Sequence, residues 1–150
     1  MNPLKKLLVE QIQNSLGEKM TAIKQNINSA RESRDNETKS SVGDKYETSR
    51  AMMQMEVEKN QARLTDVESQ LASLVKIDLQ KKFKKAEFGS WVETSAGNYF
   101  ISVAFGKANI QDISVYCISP FSPMGKALLG KRAGEKILFR GEEMIVHAIY

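Results

Sequence analysis

The chain has 150 residues, enough for one ordinary domain or two small ones and too few for a large multi-domain catalytic machine. Hydrophobic residues make up 41% and charged residues 27%, the balance of a soluble globular chain and not of a disordered or membrane-embedded one. Lys and Arg exceed Asp and Glu by 22 to 18, and a net charge of +4 falls well short of a nucleic-acid coat.

The single cysteine, Cys117, excludes an internal disulfide, and no second thiol or histidine cluster is present to build a zinc site. Near the start, Lys5 and Lys6 precede only Leu7, Leu8 and Val9 before Glu10 interrupts, shorter than the apolar stretch of a secretory signal. No apolar run approaches the roughly 18 residues of a membrane span. The expectation is a cytoplasmic chain in a reducing compartment.

From Leu4 to Lys76 the only glycines are Gly17 and Gly43, and proline is absent. Apolar residues fall at Leu8, Ile12, Leu16, Met20, Ile23, Ile27 and Ala30, in steps of four or three, which predicts a helix. A second stripe runs through Tyr46, Arg50, Met53, Val57, Asn60, Leu64, Val67, Leu71 and Leu74, with the 3.5-residue period of a coiled-coil seam. Asn60 is the polar residue on that seam, where it would fix register at some cost in stability. Between the stripes, Arg34 to Asp44 is polar and aperiodic and holds Gly43, a reversal signal. Two helices of roughly 30 residues, each about 45 Å long, therefore fold back as an antiparallel hairpin over residues 1–76. Folding about residue 38 or 39 sets Ile27 level with Arg50 and Met53, Met20 with Val57, and Ile12 with Leu64.

Residues 77–87 read as a basic linker carrying Lys81, Lys82, Lys84 and Lys85 around Phe83; such a cluster is solvated, or touches phosphates or an acidic protein. From residue 88 the pattern changes to period two. Ser90 to Thr94 and Asn98 to Phe105 flank the turn Ser95-Ala96-Gly97, and Ile113 to Ile118 is a further strand. Ser122 as N-cap and Pro123 at the first helical position open a short helix that ends at Gly130. Glu135 to Arg140 and Met144 to Tyr150 form a last hairpin across residues 141–143. The fold class is thus α+β, a coiled-coil hairpin followed by a small domain of residues 88–150. The expected core is Trp91, Phe100, Val103, Tyr116, Leu128, Ile137, Phe139 and Val146.

Chemistry is sparse. The one histidine, His147, lies in an alternating strand, and Cys117 sits between Tyr116 and Ile118 as a small buried hydrophobe would. Neither has a partner in the sequence suited to nucleophilic catalysis. No glycine-rich phosphate loop occurs. Glu32, Asp35, Glu37, Asp44 and Glu47 crowd the hairpin tip, interleaved with Arg31, Arg34, Lys39, Lys45 and Arg50. They either solvate a turn or are carried into another macromolecule's cleft, where carboxylate oxygens hold Mg²⁺.

The stretch from Ser122 to Glu135, reading Ser-Pro-Met-Gly-Lys-Ala-Leu-Leu-Gly-Lys-Arg-Ala-Gly-Glu, resembles a segment of the bacterial transcript-cleavage elongation factors of the GreA/GreB family. The alternating end from Glu143 to Tyr150, and Ala30-Arg31-Glu32 before the tip, are similar to that family too. The resemblance implies an FKBP-like C-terminal domain that docks on RNA polymerase through Ser122, Pro123, Lys126, Leu129 and Lys131. It also implies a coiled coil that enters the secondary channel, so the chain modulates elongation or transcript cleavage, contacts nascent RNA only indirectly and is itself no enzyme. It implies no intrinsic cofactor; tip carboxylates would help hold an Mg²⁺ of the polymerase active site. No membrane is involved, and a monomer is expected.

The family tip reads approximately Gly-Asp-Leu-x-Glu-Asn-Ala-Glu-Tyr. Counted from Ala30, its aspartate falls on Asp35 and its glutamate on Thr38; counted back from Tyr46, the two fall on Lys39 and Val42. The interval between these anchors is four residues longer here. Asp35 and Glu37 are the first choice for a metal-directed pair, Asp44 and Glu47 the second. Two other readings stand beside this one: an FKBP-like prolyl isomerase or chaperone, and a coiled-coil protein that dimerises through Met52, Met53 and Met55.

Overall fold

The computed structural model describes residues 3–36 and 44–150, without the Asp44 side chain. The architecture is α+β: two long helices are followed by a mixed six-stranded sheet with one short helix. Helix α1 spans Pro3–Asn36 and α2 spans Asp44–Val75, 34 and 32 residues with no internal proline, hence about 51 and 48 Å long. The expected fold class is what the structure adopts. Among the described residues no helix is long and apolar enough to cross a membrane.

The chain divides into two compact units. One comprises Asn14–Leu71, the facing portions of the two helices. Leu16, Ile23, Ile27 and Ala30 on α1 and Val57, Asn60 and Val67 on α2 are buried there, in the spacing of the two stripes, so burial of these rows holds the pair together. The helices run antiparallel. Arg34 Nη1 donates to Gln54 Oε1 at 2.6 Å, and a hollow of about 230 Å³ is walled by Ile27, Asn28 and Arg31 on one side and Gln61 and Leu64 on the other.

Register corrects the symmetric fold-back. Ile27 lies level with Gln61 and Leu64, about three turns further along α2 than Arg50 and Met53. The polar tract carries no register information; the level is set by which apolar rows are buried, Ile23, Ile27 and Ala30 on α1 and Val57, Asn60 and Val67 on α2.

The other unit comprises Met1–Gln13 and Ala72–Tyr150. Its strands are β1 (Trp91–Thr94), β2 (Gly97–Ile101), β3 (Gly106–Ile110), β4 (Ile113–Ile118), β5 (Lys136–Phe139) and β6 (Glu142–Ile149), with helix α3 at Pro123–Leu128. The sheet order is β3-β4-β2-β1-β6-β5, antiparallel throughout except for the parallel pair β2 and β4. Two hairpins close through two-residue turns in the left-handed region: Gln111-Asp112 (φ 46° and 67°) and Arg140-Gly141 (φ 51° and 81°), the geometry that matches strand twist. The last hairpin therefore turns one pair earlier than Gly141-Glu142-Glu143, and β6 already begins at Glu142.

Strand β3 was not anticipated, and β2 stops at Ile101 without reaching Phe105. Gly106 and the β-poor Lys-Ala-Asn stretch mask β3, which is an edge strand held by its pairing with β4. Of the expected core, Trp91, Phe100, Val103, Leu128, Ile137 and Val146 are buried, and Phe139 packs against the cluster from its edge. Tyr116 is not core; it is 41% exposed, because Val115 and Cys117 take the inner positions of β4. Ala86, Val92, Ile101 and Met144 form one buried cluster with Leu128, Ile137 and Val146.

The stretch 77–87 is anchored to this unit. Phe83 and Ala86 are buried, Ala86 N donates to the Lys131 carbonyl and Gly130 N to the Ala86 carbonyl, both at 2.7 Å.

Candidate functional site

Two places in the chain carry candidate residues, one in each unit. In the sheet unit, the loop after β4 leads into α3 through a hydrogen-bonded knot. Ser122 Oγ accepts from Gly125 N at 3.0 Å and donates to the Ser119 carbonyl at 2.7 Å, while Phe121 N donates to Ser119 Oγ at 3.1 Å. Ser122 is thus the N-cap that the sequence indicates, and Pro123 fills the first position, where a missing N–H costs nothing. Gly125 is required for another reason: a Cβ there would run into the Ser119 carbonyl. The Leu129 N–H caps the far end on the Gly125 carbonyl at 2.9 Å.

This knot forms one wall of an open groove of about 390 Å³. Ser122, Pro123 and Met124 line it together with Tyr99, Tyr116, Phe139 and Arg140. The two tyrosines are register partners on β2 and β4, and their rings stack at 5.8 Å between centroids. Burial, with a smaller contribution from Tyr116, raises the Tyr99 phenol above its ordinary value, so it remains a neutral donor. The Arg140 guanidinium lies 5.1 Å from the Phe139 ring. Beside the groove Phe121 is 81% exposed, a large apolar side chain turned to solvent.

Of the residues singled out in the sequence, Ser122 and Pro123 line this groove. Lys126 and Leu129 are exposed and Lys131 is half-buried, and none of the three belongs to its walls. The groove's aromatic side was missed. Strand alternation carries the signal: Tyr99 precedes buried Phe100, and Tyr116 stands between buried Val115 and Cys117, so both face away from that core row. Burial pushes the Cys117 thiol up to about 12, which leaves it an inert part of the packing. His147 is exposed on β6.

In the helical unit, Asp35 lies in the last turn of α1 and accepts from Arg34 Nε at 3.1 Å. Arg34 reaches across to Gln54, whose Nε2 donates to Glu58 Oε1 at 3.1 Å, so a chain of side chains ties the end of α1 to α2. Glu47 is exposed and borders a hollow of about 540 Å³ with Arg34, Tyr46, Arg50 and Gln54; Arg50 Nη1 donates to the Tyr46 hydroxyl at 3.1 Å. Glu37, Thr38, Lys39 and Val42, and the Asp44 side chain, lie outside the described residues. Among the described residues no group of three His, Cys, Asp or Glu converges to hold a metal ion. The arrangement there is one of alternating charges, with Arg34 already bound to Asp35.

No family model matches the chain, and no curated protein matches it. Among solved structures it is similar to one titled as the structure of the transcription factor Gfh1, at 23% sequence identity, with 92% of each chain covered and a TM-score of 0.38.

Proposed function

We propose that the chain is a Gre-like transcription factor that binds RNA polymerase through the Ser122–Lys131 region and brings the tip of its helical pair to the polymerase secondary channel, where it modulates elongation or transcript cleavage. The observation that carries this reading is the Ser122-capped turn. The residues that resemble the elongation factors are the ones that build the groove wall, and Phe121 stands exposed beside it. An exposed aromatic next to a partly apolar groove of this size fits a protein anchor, since aromatic anchors seated in pockets dominate interface energy. Lys126 and Lys131 add positive charge nearby, suited to steering an acidic partner.

The test is association of the full chain with bacterial core RNA polymerase. Binding at micromolar concentration or tighter is expected, weakened about tenfold or more by Phe121→Ser and by Pro123→Ala. An absence of association would remove the reading. Association without any effect on RNA cleavage would retain the docking and assign the tip to occupying the channel.

A second reading is favoured by the groove itself. Tyr99, Tyr116, Phe139 and Met124 give it the aromatic, apolar lining a prolyl-isomerase site needs. Prolyl-isomerase assay of the full chain with and without Tyr99→Ala decides it: turnover lost in the variant supports the isomerase, and no turnover in the wild type excludes it.

A further inference from the structure

The basic stretch 81–87 takes no part in the Ser122 groove, and its charges do not stand alone. In the sheet unit Lys and Arg exceed Asp and Glu by 13 to 8, whereas in the helical unit they number 9 against 10. The positive excess of the chain therefore belongs to the sheet unit, and within that unit it is again localised. The stretches 81–87 and 126–135 together hold seven basic residues and two acidic ones, while the rest of the unit holds six of each.

The fold sets these two stretches side by side. Ala86 is the clamp: its N–H donates to the Lys131 carbonyl, its carbonyl accepts from the Gly130 N–H, and its side chain is fully buried. Lys84 and Lys85 immediately precede Ala86, and Lys131 and Arg132 immediately follow Gly130. Four cations from stretches remote in sequence thus gather within two residues of one fixed point, an arrangement that costs free energy through like-charge repulsion. The two acids of these stretches are engaged elsewhere. Glu87 is held by Lys81 at 2.9 Å, and Glu135 Oε2 accepts from the Arg132 backbone N–H at 3.2 Å. Among the described residues none of Lys84, Lys85, Lys131 and Arg132 enters an ion pair.

We propose that this face binds the phosphate backbone of duplex nucleic acid, without reading its sequence, through Lys84, Lys85, Lys131 and Arg132. A duplex presents one negative charge per about 1.7 Å of its axis, dense enough to meet all four cations at once. Lysine predominates in the two stretches, with Arg132 the one arginine. That balance suits point-charge contacts to phosphates, whereas the cores of protein–protein interfaces are depleted in lysine and enriched in arginine and aromatic residues. Phe83, the aromatic residue inside the basic run, is buried, and Leu129 is the large apolar side chain these stretches expose. With no ring turned outward there is no platform on which unpaired bases could stack, which favours a duplex over a single strand. Lys131 also belongs to the region proposed to dock on polymerase, so the test leaves it in place and is run without polymerase. Failure of this inference and failure of the docking are then separate results.

The test is fluorescence anisotropy of the full chain with a labelled 20-base-pair DNA duplex over a series of salt concentrations. A dissociation constant of about 1 to 100 µM near physiological salt is expected, with log K falling against log salt at a slope of about −3 to −4. Lys84→Gln with Lys85→Gln should weaken binding at least about tenfold and make the slope shallower by about 2; Arg132→Gln, from the other side of the clamp, should make it shallower by about 1. Arg132→Lys should keep the natural slope, since charge and not planar geometry is read. Lys107→Gln with Lys136→Gln removes two charges from elsewhere in the unit and should leave the slope unchanged. No binding, or an equal loss in that control pair, overturns the face, the latter because net charge alone would then account for the affinity. A single-stranded oligonucleotide bound more tightly than the duplex overturns the assignment to duplex. Polyglutamate bound as tightly as the duplex overturns the assignment to phosphate and points to an acidic protein instead.

Discussion

Lys5 is a place where one side chain sets a stability profile. Its folded value of about 8 lies below the ordinary 10.5, so between those two values the unfolded chain binds more protons than the folded one, and stability rises with pH. Below about pH 8 the full penalty of the buried charge is present; above about pH 10.5 it is gone, a difference of at most about 3 kcal/mol. Lys5→Met removes the charge while keeping an unbranched apolar stem. Its stability relative to the natural chain should be most favourable near pH 7 and should fall by about 1 to 3 kcal/mol by pH 10, as urea melts at the two pH values would show. A difference that does not vary with pH would mean that Lys5 is solvated. Nothing in the sequence distinguishes Lys5 from Lys6, its exposed neighbour, because the helical stripe marks Leu8 and Ile12 but not which lysine stem lies over an aromatic ring 78 positions away. Tyr116 shows the opposite situation: its exposure follows from alternation with Val115 and Cys117, and size alone points the wrong way.

At the scale of the element, the helical pair was legible in its stripes and illegible in its register. Heptad positions Val57, Asn60, Val67 and Leu74 are buried as the period requires, while Met53, Leu64 and Leu71 are only half-buried and Arg50 is exposed. Ile27→Ala should therefore cost about 2 to 5 kcal/mol and Leu64→Ala distinctly less, an order that chemical denaturation can check. Asn60 has a more specific role to test. Its Nδ2 bonds back to its own helix, to the Glu56 carbonyl at 2.9 Å and Glu56 Oε1 at 3.1 Å, and its buried Oδ1 has no partner among the described residues. It makes no bond to α1, so it penalises burial without tying the helices together. Asn60→Leu is expected to stabilise the pair by about 1 to 2 kcal/mol. A loss of stability, or a shift to a dimer in sedimentation, would show that Asn60 excludes other pairings of the seam. The strands divide along similar lines: β4, α3 and the last hairpin carry turn and cap signals in their own residues, whereas β3 is specified by the partner it pairs with.

At the scale of the whole molecule, composition changes near residue 88, whereas the compact sheet unit takes in the first 13 residues and everything from Ala72 onward. Apolar periodicity runs unbroken through Gln13, so the pattern contains no mark of which partner each turn of α1 faces. The division matters for how docking and tip chemistry are tested. Since the candidate groove and the carboxylates belong to different units, substitutions in one should leave the other intact. Asp35→Ala combined with Glu37→Ala is expected to leave association with core polymerase within about twofold of the natural chain. If the pair lends oxygens to a metal ion, stimulated RNA cleavage should fall by about 100-fold. Asp35 is held by Arg34, which is braced in turn by Gln54, so Arg34→Gln should remove that hold on the carboxylate and alter cleavage without touching the docking surface. If the double variant still stimulates cleavage at the natural rate, the metal-directed role passes to Asp44 and Glu47, and Asp44→Ala with Glu47→Ala should then abolish it. Equal cleavage by both double variants would leave the tip no catalytic part, and the helical pair would act by filling the channel alone.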